Sequence, residues 1–431
     1  MMTSPQTPPN ASAAPNASSG PIAGFLNTDW NPRDVPPGTV TRNVVLRTED
    51  GAATGGSLYA AGQPDTVVCI MHPREFMACH YLIPDIVEAG YAAWAQSPRS
   101  VGNDQRLEHE FALYDVAAGV RFLREAGFRN IVLLGNSGGS GLYALYVQQS
   151  NLAPAARLAR TPGGRATNLA SALLPAVDGV VFVAPHPGQG MLLQSCIDPS
   201  VTDERDPLSV DPVRDAFSAA NGFAPAPQSS TYRAGFVAQY RAAQAQRVQR
   251  LDQLARAMIA ERMDARAEVK RNPATVSDAV RRRAAHTQLF TVWRTDADLR
   301  CFDLSLDPSD RKYGSLWGAD PFASNYGSVG FARVCSPESW LSTWSGLSSN
   351  AALSRTAPAI HQPALLIEYT GDQACFPSVI ADIFESLGST ARQHHRVRGD
   401  HHGRALARGE EPGRCAAGRL LQTWLRETFP Q

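Results

Sequence analysis

Five short stretches of the chain are apolar almost from end to end: residues 66–71 (TVVCIM), 91–95 (YAAWA), 131–134 (IVLL), 180–184 (VVFVA) and 363–369 (PALLIEY). A strand with one face in water alternates apolar and polar residues, whereas a strand covered on both faces does not. Helical patterns lie between these stretches. Residues 107–126 carry apolar side chains at 111, 113, 116, 120, 122 and 123 and run into Gly127, a helix stop. Residues 139–147, 378–387 and about 416–428 read as further helices, and a last short strand lies near Arg396-Val397. Strands alternating with helices predict an α/β fold, a mostly parallel sheet with helices on both faces. Residues 44–60 (VVLRTEDGAATGGSLYA) read as a hairpin with turn signals at Asp50-Gly51 and Gly55-Gly56, so an antiparallel strand should open the sheet.

The rhythm breaks between about 190 and 355, where no buried strand is evident. Residues 232–270 read as one long helix, with Phe236, Tyr240, Val248, Leu251, Leu254 and Met258 at helical spacing among Gln and Arg. Trp293, Trp317, Trp340 and Trp344 fall in the same block, as a core for it or as contacts for an apolar or aromatic group. The expected organisation is a disordered tail (1–22), a first core part (23–189), a helical cap (190–355) and a second core part (356–431).

With 431 residues, 43% of them hydrophobic, the chain can bury a sizeable core. Its formal net charge is zero, which removes the electrostatic case for nucleic acid or an anionic membrane. Only Lys270 and Lys312 are lysines, which reads as base composition rather than function. The seven cysteines (69, 79, 196, 301, 335, 375 and 415) form no CxxC pair, so neither a zinc site nor a disulfide framework is expected. Buried thiols in a reducing compartment are the preferred reading. The Pro-, Ala-, Ser- and Asn-rich start lacks the basic and apolar regions of a signal peptide. No apolar run approaches the roughly 20 residues of a membrane helix. A cytoplasmic protein is expected.

The stretch IVLLGNSGGS raises the chemistry. Gly135-x-Ser137-x-Gly139 follows a strand and precedes a helix, the context in which G-x-S-x-G is a nucleophile elbow. A phosphate-cradling turn is the alternative, but neither GxGxxG nor GxxxxGK[ST] is present. Ser140 lies a turn into the helix and reads as packing or capping. A serine hydroxyl needs an oriented base, and in this architecture the acid precedes the histidine. Asp372 stands just past the 363–369 strand beside Gly371; Glu368 is a rival inside the strand, and a turn-forming Asp is the alternative. His401 and His402 follow in RGDHHG. The Asp400-His401 sequence favours the first, the small Gly403 favours the second, and the choice stays open. Adjacent histidines rarely share one ion, so no metal is expected.

An oxyanion needs two backbone N–H donors. Gly138, after the nucleophile, is one. The loop after residue 71 should supply the other, and since Pro73 has no N–H, Arg74 is the candidate, with His72 orienting the loop. Asn103 and Asp104 read as loop caps or substrate contacts. His186 lines the pocket or holds its loop, and His109 and His286 sit among charged neighbours and read as surface.

The GNSGG elbow, the His72-Pro73 loop, and the GDQ (371–373) and GDHH (399–402) turns resemble the α/β-hydrolase superfamily over about residues 40–188 and 360–430. The middle block then reads as a cap inserted after the strand at 180–184. RSVGNDQRLEHEFALYDVAAGVR (99–121) and IMHPREFMACHYL (70–82) look like a bacterial subgroup of hydrolases with large caps. His72-Pro73 departs from the commoner His-Gly, which narrows the donor to Arg74.

The resemblance and the residues imply a serine hydrolase for a carboxylic ester or lactone, of a fairly large apolar or aromatic substrate, with no cofactor. A C–C bond hydrolase, amidase or thioesterase would use the same groups. A non-catalytic binding protein with the 232–270 helix as docking arm is the reading from another class. A small-molecule substrate is the expected partner, nucleic acid and membrane are not, and a homo-oligomer is left open.

Overall fold

The computed structural model describes residues 35–431 apart from 103, 328 and 329. The expected tail (1–22) and Asn103 lie outside the described residues. Eight strands form one sheet: β1 (Val40–Arg47), β2 (Ala53–Ala60), β3 (Thr66–Met71), β4 (Ala92–Ser97), β5 (Asn130–Asn136), β6 (Gly179–Val183), β9 (Ala364–Tyr369) and β10 (Arg392–Val397). Their order is β1-β2-β4-β3-β5-β6-β9-β10. β1 pairs antiparallel with β2 and β2 with β4, and every later pair is parallel.

The central strands are buried almost end to end because both faces are covered. Successive side chains of β3 point to opposite faces. Val67, Cys69 and Met71 pack with residues of α2 (His109–Glu125), α3 (Gly138–Asn151) and α11 (Pro377–Ser386). Val68 and Ile70 pack with α1 (Ile83–Glu88) and α12 (Gly413–Thr428). This is the expected α/β fold, a mostly parallel sheet with helices on both faces, with a long insertion between β6 and β9.

Two expectations need correction here. Gly55-Gly56 is not a turn but lies inside β2; the hairpin turns at 48–52. A Cβ on Gly56 would meet the Trp94 ring at 2.8 Å, so the glycine admits the indole of the next strand. His109, expected at the surface, is 1% exposed under the inserted segment, while His286 is exposed as expected.

The insertion is less helical than its sequence implied. It contains α4 (Gln189–Cys196), α5 (Ala234–Arg271), α6 (Asp278–Ala285) and the short α7 (Leu299–Phe302), α8 (Pro321–Tyr326), α9 (Pro337–Ser339) and α10 (Leu353–Thr356). It also holds a two-stranded pair, β7 (Phe290–Thr291) with β8 (Val334–Cys335). Most of residues 197–233 is turns. Asp198, Asp203, Asp206, Asp211 and Asp215 each accept, at 2.8–3.0 Å, the N–H of the residue two positions on. Such side-chain turns compete with helix formation.

One stripe of α5 buries Tyr240, Val248, Leu251, Ala255 and Ile259. The lower part of this stripe meets Trp340, Trp344, Leu193 and Val292, and the Trp340 indole N–H donates to Asp252 at 2.8 Å. Trp340 and Trp344 are therefore core residues of the insertion. Among the described residues no helix is long and apolar enough to cross a membrane.

Candidate active site

β5 ends at Asn136 and α3 begins at Gly138, leaving Ser137 to make the whole turn, at φ 53° and ψ −118°. A non-glycine residue in such a conformation costs about 1–3 kcal/mol and persists only where neighbours enforce it. The Ser137 N–H donates to the Val183 carbonyl at 3.0 Å, and the Asn136 side chain donates to the same oxygen at 2.9 Å. The Ser140 hydroxyl donates to the Gly135 carbonyl at 2.8 Å, so Ser140 fastens the turn from inside the helix. A Cβ on Gly135 would lie 2.6 Å from the Ser140 backbone, and one on Gly139 would land on the Met71 carbonyl oxygen. The two outer glycines thus admit backbone where any side chain would collide.

β9 delivers Asp372 in the turn after Tyr369, with one carboxylate oxygen accepting the Ala374 and Cys375 N–H groups at 2.7 and 3.0 Å. The turn after β10 delivers His401. Its Nδ1 lies 2.7 Å from the other Asp372 oxygen and its Nε2 lies 3.0 Å from Ser137 Oγ. The three side chains form one hydrogen-bonded chain. Nδ1–H donates to the carboxylate, which leaves Nε2 to accept from the serine hydroxyl.

The structure brings His401 to the serine and leaves His402 beside it. The His402 ring stands edge-on to His401 with centroids 5.1 Å apart. Asp400 is not the ring's partner either, since it accepts the His402 and Arg404 N–H groups at 2.9 and 2.8 Å and so shapes the turn. Glu368 faces His394 and Arg396 of β10, at 2.9 and 3.2 Å, away from the serine.

Burial alone would depress His401, but the charge and hydrogen bond of Asp372 outweigh it and raise its pKa above 6.5. Burial, then the charges of His401 and Arg404, push His402 down to about 2.

The N–H of Gly138, the first residue of α3, has no acceptor within its own helix. The Arg74 N–H, expected as the second donor, is engaged otherwise: with the Glu75 N–H it donates to His72 Nδ1, each at 3.1 Å. His72 does orient this loop, and by doing so it occupies the donor that sequence reasoning assigned to the oxyanion. The Arg74 guanidinium forms a two-pronged pair with Asp104 at 2.7 and 2.9 Å, tying the loops after β3 and β4 together. His186 is buried at the pocket wall and also supports its own loop: its Nδ1 accepts the Gly188 N–H at 3.3 Å.

Asp372, Cys375 and His401 offer ligand atoms within 4.8 Å of one another. Burial holds the Cys375 thiol well above its ordinary pKa, against the thiolate a metal requires. The other two atoms already bind each other.

The cavity over Ser137 has a volume of about 50 Å³ and is lined by Met77, Gln189, Leu192, Leu316 and Phe331 among others. Pockets for drug-sized ligands measure about 300–1,000 Å³. Leu192, Leu316 and Phe331 of the insertion narrow the cavity beside Ser137.

No family model matches the chain, and no curated protein matches it. Among solved structures, the α/β hydrolase GrgF from Penicillium is similar at 15% identity and a TM-score of 0.46, over 90% of this chain and 99% of its own. The esterase domain of a Rhodothermus marinus protein is similar at 11% identity and a TM-score of 0.41, over 90% and 98%. A Pyrococcus furiosus esterase is similar at 11% identity and 0.40, over 90% and 91%.

Proposed function

We propose that the chain is a serine hydrolase that cleaves a carboxylic ester with a short acyl group through an acyl-enzyme. Ser137 attacks the carbonyl carbon while His401 Nε2 takes the hydroxyl proton. Asp372 holds the His401 tautomer and stabilises the imidazolium that forms. The Gly138 N–H meets the oxyanion at the start of α3, where the helix dipole also favours negative charge. His401 then returns the proton to the leaving group, and water cleaves the acyl-enzyme by the same steps.

The observation that supports this reading most is the unbroken chain from Asp372 through His401 to Ser137 at 2.7 and 3.0 Å. It joins residues from three separate loops, and the serine in it is held in a strained turn. The preference for a short acyl group rests on the cavity volume. Fluorophosphonate labelling tests the nucleophile: the wild type should label and Ser137→Ala should not. Equal labelling, or none, would remove the reading in favour of a binding protein on this scaffold. A panel of esters, lactones, thioesters and amides then reads the bond class, with short-chain esters expected fastest.

A further inference from the structure

Two imidazoles outside the triad converge on Gly138. A Cβ placed on that glycine would lie 2.5 Å from His72 Nε2 and 3.2 Å from His186 Nε2. Both rings are more than nine-tenths buried, and neither Nε2 makes a hydrogen bond among the described residues. The opposite edge of each ring settles where its proton sits. His72 Nδ1 accepts the Arg74 and Glu75 N–H groups, and His186 Nδ1 accepts that of Gly188. A nitrogen that accepts carries no hydrogen, so in a neutral imidazole the proton is on Nε2.

We propose that His72 and His186 present Nε2–H groups to the oxyanion, supplying beside the Gly138 N–H the donors that the Arg74 backbone does not. This rests on the serine-hydrolase reading. When Ser137 Oγ bonds to the carbonyl carbon, the π pair moves to the carbonyl oxygen and the hydroxyl proton goes to His401 Nε2. His72 and His186 keep their own protons and only donate hydrogen bonds. A neutral imidazole can polarise a carbonyl in this way.

The setting keeps both rings uncharged. Burial and then the Arg74 charge hold His72 well below the ordinary histidine range, and burial and then His401 hold His186 at about 3. Neutrality matters because a cation here would oppose the positive charge that forms on His401 during attack. The glycine at 138 then has a second purpose: without a Cβ, both rings can approach the oxygen's position.

His72→Asn and His186→Asn separate the roles. Asparagine keeps a carbonyl oxygen near the Nδ1 position, so the loop N–H groups retain an acceptor, but it lacks the distal donor. Each variant should lower kcat on a short-chain ester about a hundred-fold or more with KM changed little, as loss of one oxyanion donor does. Two-bond ¹H–¹⁵N imidazole spectra of the wild type should show both rings as Nε2–H tautomers from pH 5 to 8. An Nδ1–H tautomer overturns the proposal whatever the variants do. So does an unchanged kcat in both variants when the wild type labels with fluorophosphonate. A wild type that neither labels nor turns over any ester removes the hydrolase reading and this proposal with it.

Discussion

His401 and His402 are neighbours in sequence with opposite surroundings. One ring is bound at both nitrogens between Asp372 and Ser137; the other has a pKa depressed to about 2. His401→Ala should lower kcat by about 10⁴-fold or more, as loss of a triad member does, and His402→Ala by less than about ten-fold. Comparable losses in both would refute the assignment. The pH dependence has a definite sign. The base must be neutral to accept a proton, so kcat/KM should fall as pH drops through the His401 pKa, which lies above 6.5 because of Asp372. Asp372→Asn removes the carboxylate and leaves the burial, so an NMR titration of His401 should show its midpoint moved down. At this scale the positions of Ser137 and Asp372 were legible, because each stands in a turn that a strand announces. The choice of histidine was not, since it depends on which way the turn after β10 faces. Arg74 misled for a related reason: the partner of its N–H is a ring two residues away, invisible to a rule that asks only which residues have an N–H.

The strands were legible because burial on both faces leaves little room for polar residues, whatever the neighbours do. The insertion was legible only in its long helix. Its five aspartate turns carried a signal in the spacing of Asp residues between 198 and 215, which periodicity analysis does not weigh. Glycines divide along the same line. Those of the elbow answer to a neighbouring element, since a Cβ at position 139 would strike the Met71 carbonyl of β3, whose backbone cannot yield without unseating the sheet. Gly139→Ala should destabilise the protein by about 1–3 kcal/mol, the usual range for overpacking, and should also lower activity by shifting Ser137. Gly235, in the first turn of α5, has nothing beyond its own helix backbone within 4 Å of its Cβ position. Gly235→Ala should be neutral or stabilise by up to about 1 kcal/mol through the unfolded chain. Urea denaturation of the two variants gives the comparison, and equal midpoints would show that the elbow yields more easily than its contacts imply.

At the scale of the molecule, the insertion lies over the candidate site, and its side chains line the cavity beside Ser137. The core places Ser137, Asp372 and His401 on loops at one end of the sheet, and α4 leads from the end of β6 over them. Leu192 of α4, 5% exposed, lines the cavity beside Gln189 and His186. A cavity of about 50 Å³ exceeds the roughly 10–15 Å³ needed for one water but falls far below the pockets that hold large ligands. Activity should therefore be highest on acetyl and propionyl esters and should fall with each added methylene, since overfilling a packed site costs free energy. Leu192→Ala tests whether the wall or the chemistry sets that limit. Removing three carbons from the wall should raise kcat/KM for a butyryl ester relative to an acetyl ester by about ten-fold or more, the scale on which pockets distinguish methylenes. The triad should be untouched, so fluorophosphonate labelling of Ser137 should proceed as in the wild type. A wild type that already prefers long acyl chains would sink the size argument and require the insertion to swing away from the sheet before substrate enters, with α4 carried along and Leu192→Ala leaving the preference unchanged.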